Sequence, residues 1–344
     1  MYGHHIRLCD TMPTLRESPH FGQFYVAECE NHGLVERKKQ LMNGTASRFA
    51  DHNCPKNVWT IFSSTTQPIV AKFPQKPLEE VVAAEFLTRF GFQKLIYHVH
   101  GAASEQAARI RSIIGFGVPR RATLIMPYIQ GLSLAAYNHS GIIYEAEQLG
   151  ALAICDCILN NCDRLSVLVD HAGNYLNIIG VGHKLVPIDN HLIIPAESAE
   201  PVFQRRLLSL VEDVLSDGGL TDASTSSRPL KPTELSPPNH PIGQLVASVS
   251  QFFAAPPNEI EAAIRRGARS ALDTFRHMQV GDFKRLEMDV LRLVGHTSFA
   301  GEDLGSLLGQ LRKAHGVVRA ARDRVGGYDV REVDVLLEAA MAMA

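Results

Sequence analysis

The chain has 344 residues, long enough for two sizeable lobes each with its own core. Apolar residues make up 45% and charged residues 20%, with a formal net charge of −2 at pH 7. That balance belongs to an ordinary globular protein and excludes the basic surface of a nucleic-acid binder.

No apolar run reaches the ~18–20 residues a membrane span needs. The N-terminal "MYGHHIRLCDTMPTLRESPHF" lacks the basic-then-apolar layout of a secretory signal, so a cytoplasmic protein is expected. The six cysteines then read as reduced thiols. Cys155, Cys157 and Cys162 lie close together, but no second ligand pair accompanies them, and they read as buried helix residues instead of a zinc site.

In chain order, residues 1–40 are polar and aperiodic, an N-terminal extension with at most one strand. From Val58, "VWTIFSS" and "PIVAKF" flank the polar turn "STTQ" and predict a β-hairpin. "KPLEEVVAAEFLTRFGF" predicts a helix, with Pro77 near its start, acids in its first turn and Gly91 past its end. Its apolar residues suffice for one buried face. "LIYHVHG" and "ATLIMPYI" are two more strands. The apolar helix "YEAEQLGALAICDCILN" then leads into "NNCDRLSVLVDHAGNYLNIIG", where "DHAGN" predicts a hairpin turn, and the β-run "KLVPI" follows. Residues 216–241, rich in Ser, Thr, Pro and Gly, read as a flexible loop. Four helical segments complete the chain. The fold class is therefore α+β: a strand-rich first part with one helix, a connector, and a larger, mainly helical second part. That order matches a two-lobed kinase.

The polar residues fit this order chemically. Phosphoryl transfer needs a cation on the nucleotide phosphates, oxygen ligands for Mg²⁺, and an acid to orient the attacking hydroxyl. Lys72 ends the β-run "VAKF" and can supply the cation. Glu80, one turn into the next helix, can hold it, with Glu79 and Glu85 as competitors. Asp163 follows the long apolar helix and precedes Arg164. Asn177 and Asp189 lie at the edges of the following β-segments. Asp156 and Asn161 have the acid-to-amide spacing of a protein-kinase catalytic loop. However, "LGALAICDCIL" reads as unbroken helix with Asp156 inside it, and Asp163 is preferred.

"LGALAICDCILNNCDRLSVLVDHAGNYLNIIG…LVPIDNH" resembles the catalytic domain of the actin-fragmin kinase family of atypical protein kinases. The carrying motifs are "N-x-D-R", "G-N-x-x-N-I" and "I-D-N". "EEVVAAEFLTRFGF" is similar to the family's small-lobe helix, and "ATLIMPYIQGLSL" to its inter-lobe hinge with "G-x-x-L". The likeness runs from about Asn43 to Leu192 and is shared in part with type II phosphatidylinositol 4-kinases. It implies a bilobal protein-kinase-like fold, with residues 41–128 as small lobe and hinge and 129–344 as large lobe. It also implies ATP and Mg²⁺ (Mn²⁺ as a substitute), with Lys72 on the phosphates, Glu80 positioning it, Asp163 as catalytic acid, and Asn177 and Asp189 on the metal. Gly44 and Thr45 would meet the phosphates, and the backbone of Met126 to Tyr128 the adenine. The implied substrate is a threonine of actin, alone or in a complex with a capping protein, phosphorylated by a monomeric, cytoskeleton-associated enzyme.

Two departures stand out. The segment before Lys72 offers Gly44 in place of a glycine-rich loop, and no "A-P-E" follows Asp189. Two other readings therefore stay open: a phosphoinositide kinase, and an inactive kinase-shaped scaffold.

Overall fold

The computed structural model describes residues 16–17, 24–28, 58–63, 68–115, 118–165, 173–215, 240–295, 297, 299 and 301–325. Over these the chain is a mixed α+β protein with two small antiparallel sheets.

The first sheet comprises β1 (Arg16–Glu17), β2 (Phe24–Glu28), β3 (Val58–Ser63), β4 (Ile69–Lys72), β5 (His98–His100) and β6 (Thr123–Pro127), in the order β1-β2-β3-β4-β6-β5. The predicted hairpin is present, with Trp59 opposite Ala71. Two strands from the segment set aside as an extension also join this sheet, so the sheet begins well before residue 41.

Alternation decides what each face of β4 does. Ile69, Ala71 and, just past the strand, Phe73 belong to one face. There they form a core with Trp59, Ile61 and Ile125, covered by Ile113 and Ile114 of helix α2 (Glu105–Ile114). Trp59 and Phe73 meet edge to face at 5.3 Å. Lys72 falls on the opposite face, together with its register partner Leu124, which joins the core containing helix α1 (Pro77–Thr88). Helix α2 is missing from the sequence reading, although Ser104 caps it by accepting from the backbone N–H of Ala107 at 3.2 Å.

Helix α1 differs from its one-faced expectation: Pro77 through Leu87 are all buried. The sheet lies on one side, and helices α7 (Val280–Val294) and α8 (Leu304–Val325) lie on the other. Phe86 meets Phe275 edge to face at 5.7 Å. A helix buried all round must pair its charges. Its three acids do so with three different lysines, described below.

The second sheet joins β7 (Leu132–Ser133), β8 (Ile178–Val181) and β9 (Lys184–Pro187). Its β8–β9 hairpin turns at Gly182 and His183, both with positive φ (50° and 66°). The predicted "DHAGN" turn lies largely outside the described residues, which omit 166–172. Gly131 of the "G-x-x-L" run is a packing glycine, because a Cβ there would stand 2.4 Å from the carbonyl oxygen of Gly180.

The helical part contains α3 (Ile143–Ile158), α4 (Glu200–Leu215), α5 (Pro241–Val249), α6 (Pro257–His277), α7 and α8. The last four fall on the four predicted segments. Helix α4 was not read from the sequence, although its buried Phe203, Leu207, Leu210, Val211 and Val214 keep helical spacing. The predicted loop 216–241 lies outside the described residues except for His240 and Pro241, where α5 begins. Among the described residues no helix is long and apolar enough to cross a membrane.

Candidate functional site

The site begins with an ammonium. Lys72, at the last position of β4, is 8% exposed and cannot stay charged there without partners. It has two. Its Nζ donates to Glu80 Oε2 at 2.7 Å and also to Asp189 Oδ1. Glu80 comes from the first turn of α1, and Asp189 lies two residues beyond β9. The competing acids are engaged elsewhere: Glu79 pairs with Lys76 at 2.6 Å, and Glu85 with Lys94 at 2.9 Å.

The electrostatics are those of a closed cluster. Burial works against the Lys72 charge, but Glu80 and Asp189 outweigh it and hold the ammonium above the usual lysine range. Burial likewise opposes the Asp189 charge, and Lys72 and His191 overcome it, keeping the carboxyl well below its usual range. Glu80, the more deeply buried acid, is pushed up by burial beyond what Lys72 recovers.

His191 is the residue sequence reasoning passed over, although it stands in the quoted "IDNH". Its Nε2 lies 3.3 Å from Asp189 Oδ1. Burial disfavours the imidazolium, but the Asp189 hydrogen bond and the Glu80 charge raise its pKa above the ordinary histidine value. Potential ligand atoms of Glu80, Asp189 and His191 lie within 4.8 Å of one another. Asp189 itself adopts φ 56°, a left-handed conformation that favours glycine and that Asp tolerates better than most residues.

Asp163 lies in the turn after α3 and is exposed. Asn177 Nδ2 donates to its Oδ2 at 3.0 Å, and Asn174 Nδ2 reaches the same oxygen at 3.4 Å. Asn177 is buried in a short 3₁₀ turn just before β8. With Nδ2 given to Asp163, its Oδ1 is the atom left to meet a cation. Asn177 also accepts from the backbone N–H of Ile188 at 2.9 Å, which fixes it beside the chain leading to Asp189.

The two acid-bearing loops are tied from beneath. Arg164, 1% exposed, donates through Nη2 to Asn190 Oδ1 at 2.8 Å and lies 3.4 Å from Asp156 Oδ1. The neighbour of Asp163 therefore holds the neighbour of Asp189. Asp156 is in the last turn of α3, buried and bonded to Asn161 at 3.4 Å, where no substrate hydroxyl can reach it. Burial pushes Asp156 up to about 6 against the pull of Arg164.

A magnesium nucleotide fits this donor set in kind: one partly exposed carboxylate, one amide oxygen and one ammonium. The nucleotide-contact expectations fare differently. Gly44 and Thr45 lie outside the described residues. Met126 sits in β6 opposite Val70. The N–H of Tyr128 donates to the carbonyl of Pro68 at 3.1 Å, and Pro127 has none to give. The Met126 and Tyr128 N–H groups are thus both taken up by the pairing with β4 and its edge, which leaves carbonyls of this stretch as the possible adenine partners. The cysteines are poor ligands: Cys155 and Cys157 are buried in α3, Cys162 is half-buried, and burial pushes all three thiols up.

Compared with protein-family models and with curated proteins, the sequence matches none.

Proposed function

We propose that the chain is an ATP-dependent phosphotransferase of the atypical protein-kinase type, two-lobed, acting on a Ser or Thr hydroxyl of a protein, with a threonine of actin as the first candidate. One observation carries this reading. The Lys72 ammonium is bonded at once to Glu80, in the helix after its strand, and to Asp189, 117 residues further on. A solvated strand lysine has no need of two carboxylates from separate elements, whereas a phosphate-binding lysine must be held in place.

On this reading the residues take the following roles. An ammonium has three donors; Glu80 and Asp189 take two, and the third is left for a phosphate oxygen. Asp163 is held at Oδ2 by two amides, so its carboxylate points in a fixed direction toward solvent. There it accepts the proton of the attacking hydroxyl as the oxygen bonds to the γ-phosphorus and the bond to ADP breaks. Asp189 and Asn177 are the residues to hold Mg²⁺, which when bound neutralises charge on the transferring phosphoryl group. Arg164 keeps the two acids in register through Asn190.

A second reading, a nucleotide-free scaffold, is favoured by the Tyr128 N–H already spent on Pro68. The purified protein, offered Mg²⁺·ATP with actin alone or with actin bound to a fragmin-type capping partner, decides between them. Phosphate on an actin threonine, lost in Asp163→Ala and Asp189→Ala, is the expected result. Nucleotide binding without transfer moves the search to other hydroxyls, phosphoinositides first. No nucleotide binding leaves the scaffold.

A further inference from the structure

The acid that the proposed function places on the metal has a neighbour of different chemistry. His191 Nε2 stands 3.3 Å from Asp189 Oδ1, and the ligand atoms of Glu80, Asp189 and His191 are mutually within 4.8 Å. A single dication with bonds of roughly 2.0–2.2 Å spans ligand atoms up to about 4.4 Å apart, so a small rotamer adjustment brings all three around one ion. Lys72 occupies one oxygen of each carboxylate, Glu80 Oε2 and Asp189 Oδ1, and each keeps its second oxygen. His191 remains partly open to solvent, with 32% of its side chain exposed, so an ion can reach it.

Ligand type then decides which ion. Mg²⁺ takes hard oxygen ligands in a strict octahedron and gains little from imidazole. First-row transition-metal dications bind imidazole nitrogen well, with affinity rising from Mn²⁺ through Co²⁺. We propose that His191 is a metal ligand that makes this a mixed nitrogen–oxygen site, selecting a transition-metal dication over Mg²⁺. The placement of a metal at Asp189 rests on the phosphotransfer reading; the selectivity rests on His191 alone.

The test uses the full chain without nucleotide. Co²⁺ is titrated into the protein and followed by its visible absorption, whose intensity and position report nitrogen ligation, with Mg²⁺ as competitor. The expected result is Co²⁺ bound at least about tenfold more tightly than Mg²⁺, weakened about tenfold or more by His191→Ala while Mg²⁺ binding moves less than about twofold. Asp189→Asn removes the band. Co²⁺ affinity unchanged in His191→Ala overturns the proposal, as does equal competition by Mg²⁺. A band that survives Asp189→Asn also overturns it, because the ion then sits elsewhere, with the stacked His98 and His100 rings on β5 the first place to look. His191-dependent Co²⁺ binding in a protein that transfers no phosphate keeps this inference and sinks the phosphotransfer reading. Phosphate transfer with His191-independent metal binding does the reverse.

Discussion

Three charges meet at Lys72, and removing any one leaves the others in a poorly hydrated place. The Lys72–Glu80 pair is the more buried half, with side chains 10% and 5% exposed. Breaking a buried pair by deleting one partner costs more than the pair itself contributes, because an uncompensated charge remains. Lys72→Met should therefore lower unfolding free energy by roughly 3–5 kcal/mol in denaturant titrations. Adding Glu80→Gln should restore part of that loss, because it removes the stranded charge. A Lys72→Met protein as stable as the parent would mean that the cluster is not closed in solution. Asp156 gives a second prediction, with the opposite pH sign to that of a paired carboxylate. Its pKa rises from 3.8 to about 6 on folding, so the folded state binds the proton more tightly. Stability from this group is fullest below 3.8 and falls as pH rises through 6, by roughly 3 kcal/mol in total. Comparing Asp156→Asn with the parent by thermal unfolding at pH 4 and pH 7 should show that the variant lacks this fall. At this scale Lys72, Asp163, Asn177 and Asp189 were legible because each stands at the edge of a readable element. The choice of Glu80 over Glu79 and Glu85 was not, because all three lie in one helix and only three-dimensional pairing separates them. His191 was missed for a related reason: a lone histidine after a strand carries no signal until its distance to Asp189 is known.

Between elements, α3 and α6 approach each other closely. A Cβ on Gly150 would stand 1.8 Å from the carbonyl oxygen of Ile264, and one on Gly267 would stand 1.7 Å from that of Glu147. The two glycines let the helix backbones touch along the first half of α3. Backbone cannot yield as a flexible side chain can, so Gly150→Ala or Gly267→Ala must push the helices apart. Each should cost about 3 kcal/mol or more, at or above the upper end of ordinary overpacking. Chemical denaturation measures this, and a change under about 1 kcal/mol would contradict the contact. The legible elements were those with a strong period or clear caps: α1, α3 and the last four helices. Helix α2 is short, ten residues, which leaves little length to set a period, and α4 was overlooked despite its spacing. The turn at Gly182 and His183 carried little turn signal, because it needs positive φ at a histidine.

Across the whole molecule, the six-stranded sheet supplies Lys72, and the helical part with its three-stranded sheet supplies Asp163, Asn177 and Asp189. Helix α1 lies between them, packed on α7 and α8 and bonded through Glu80 to Lys72. Glu79 reinforces the seam: its backbone N–H donates to Glu302 Oε1 at 3.0 Å. The mixed α+β character was legible from the order of β-rich and helical segments. The reach of the sheet back to residue 16 was not, since β1 is two residues long and β2 stands as one isolated apolar run in an otherwise aperiodic segment. The most direct test of the central claim is to measure Mg²⁺·ATP affinity and γ-phosphate transfer together on the parent, Asp163→Asn and Asp189→Asn. Among the described residues Asp163 pairs with no cation, so its variant should bind nucleotide within about threefold of the parent yet lose transfer by about 100-fold or more, at the lower end of what general-base loss costs. Asp189→Asn should lose both. Parent-like transfer in Asp163→Asn, or nucleotide affinity untouched in Asp189→Asn, would contradict the account.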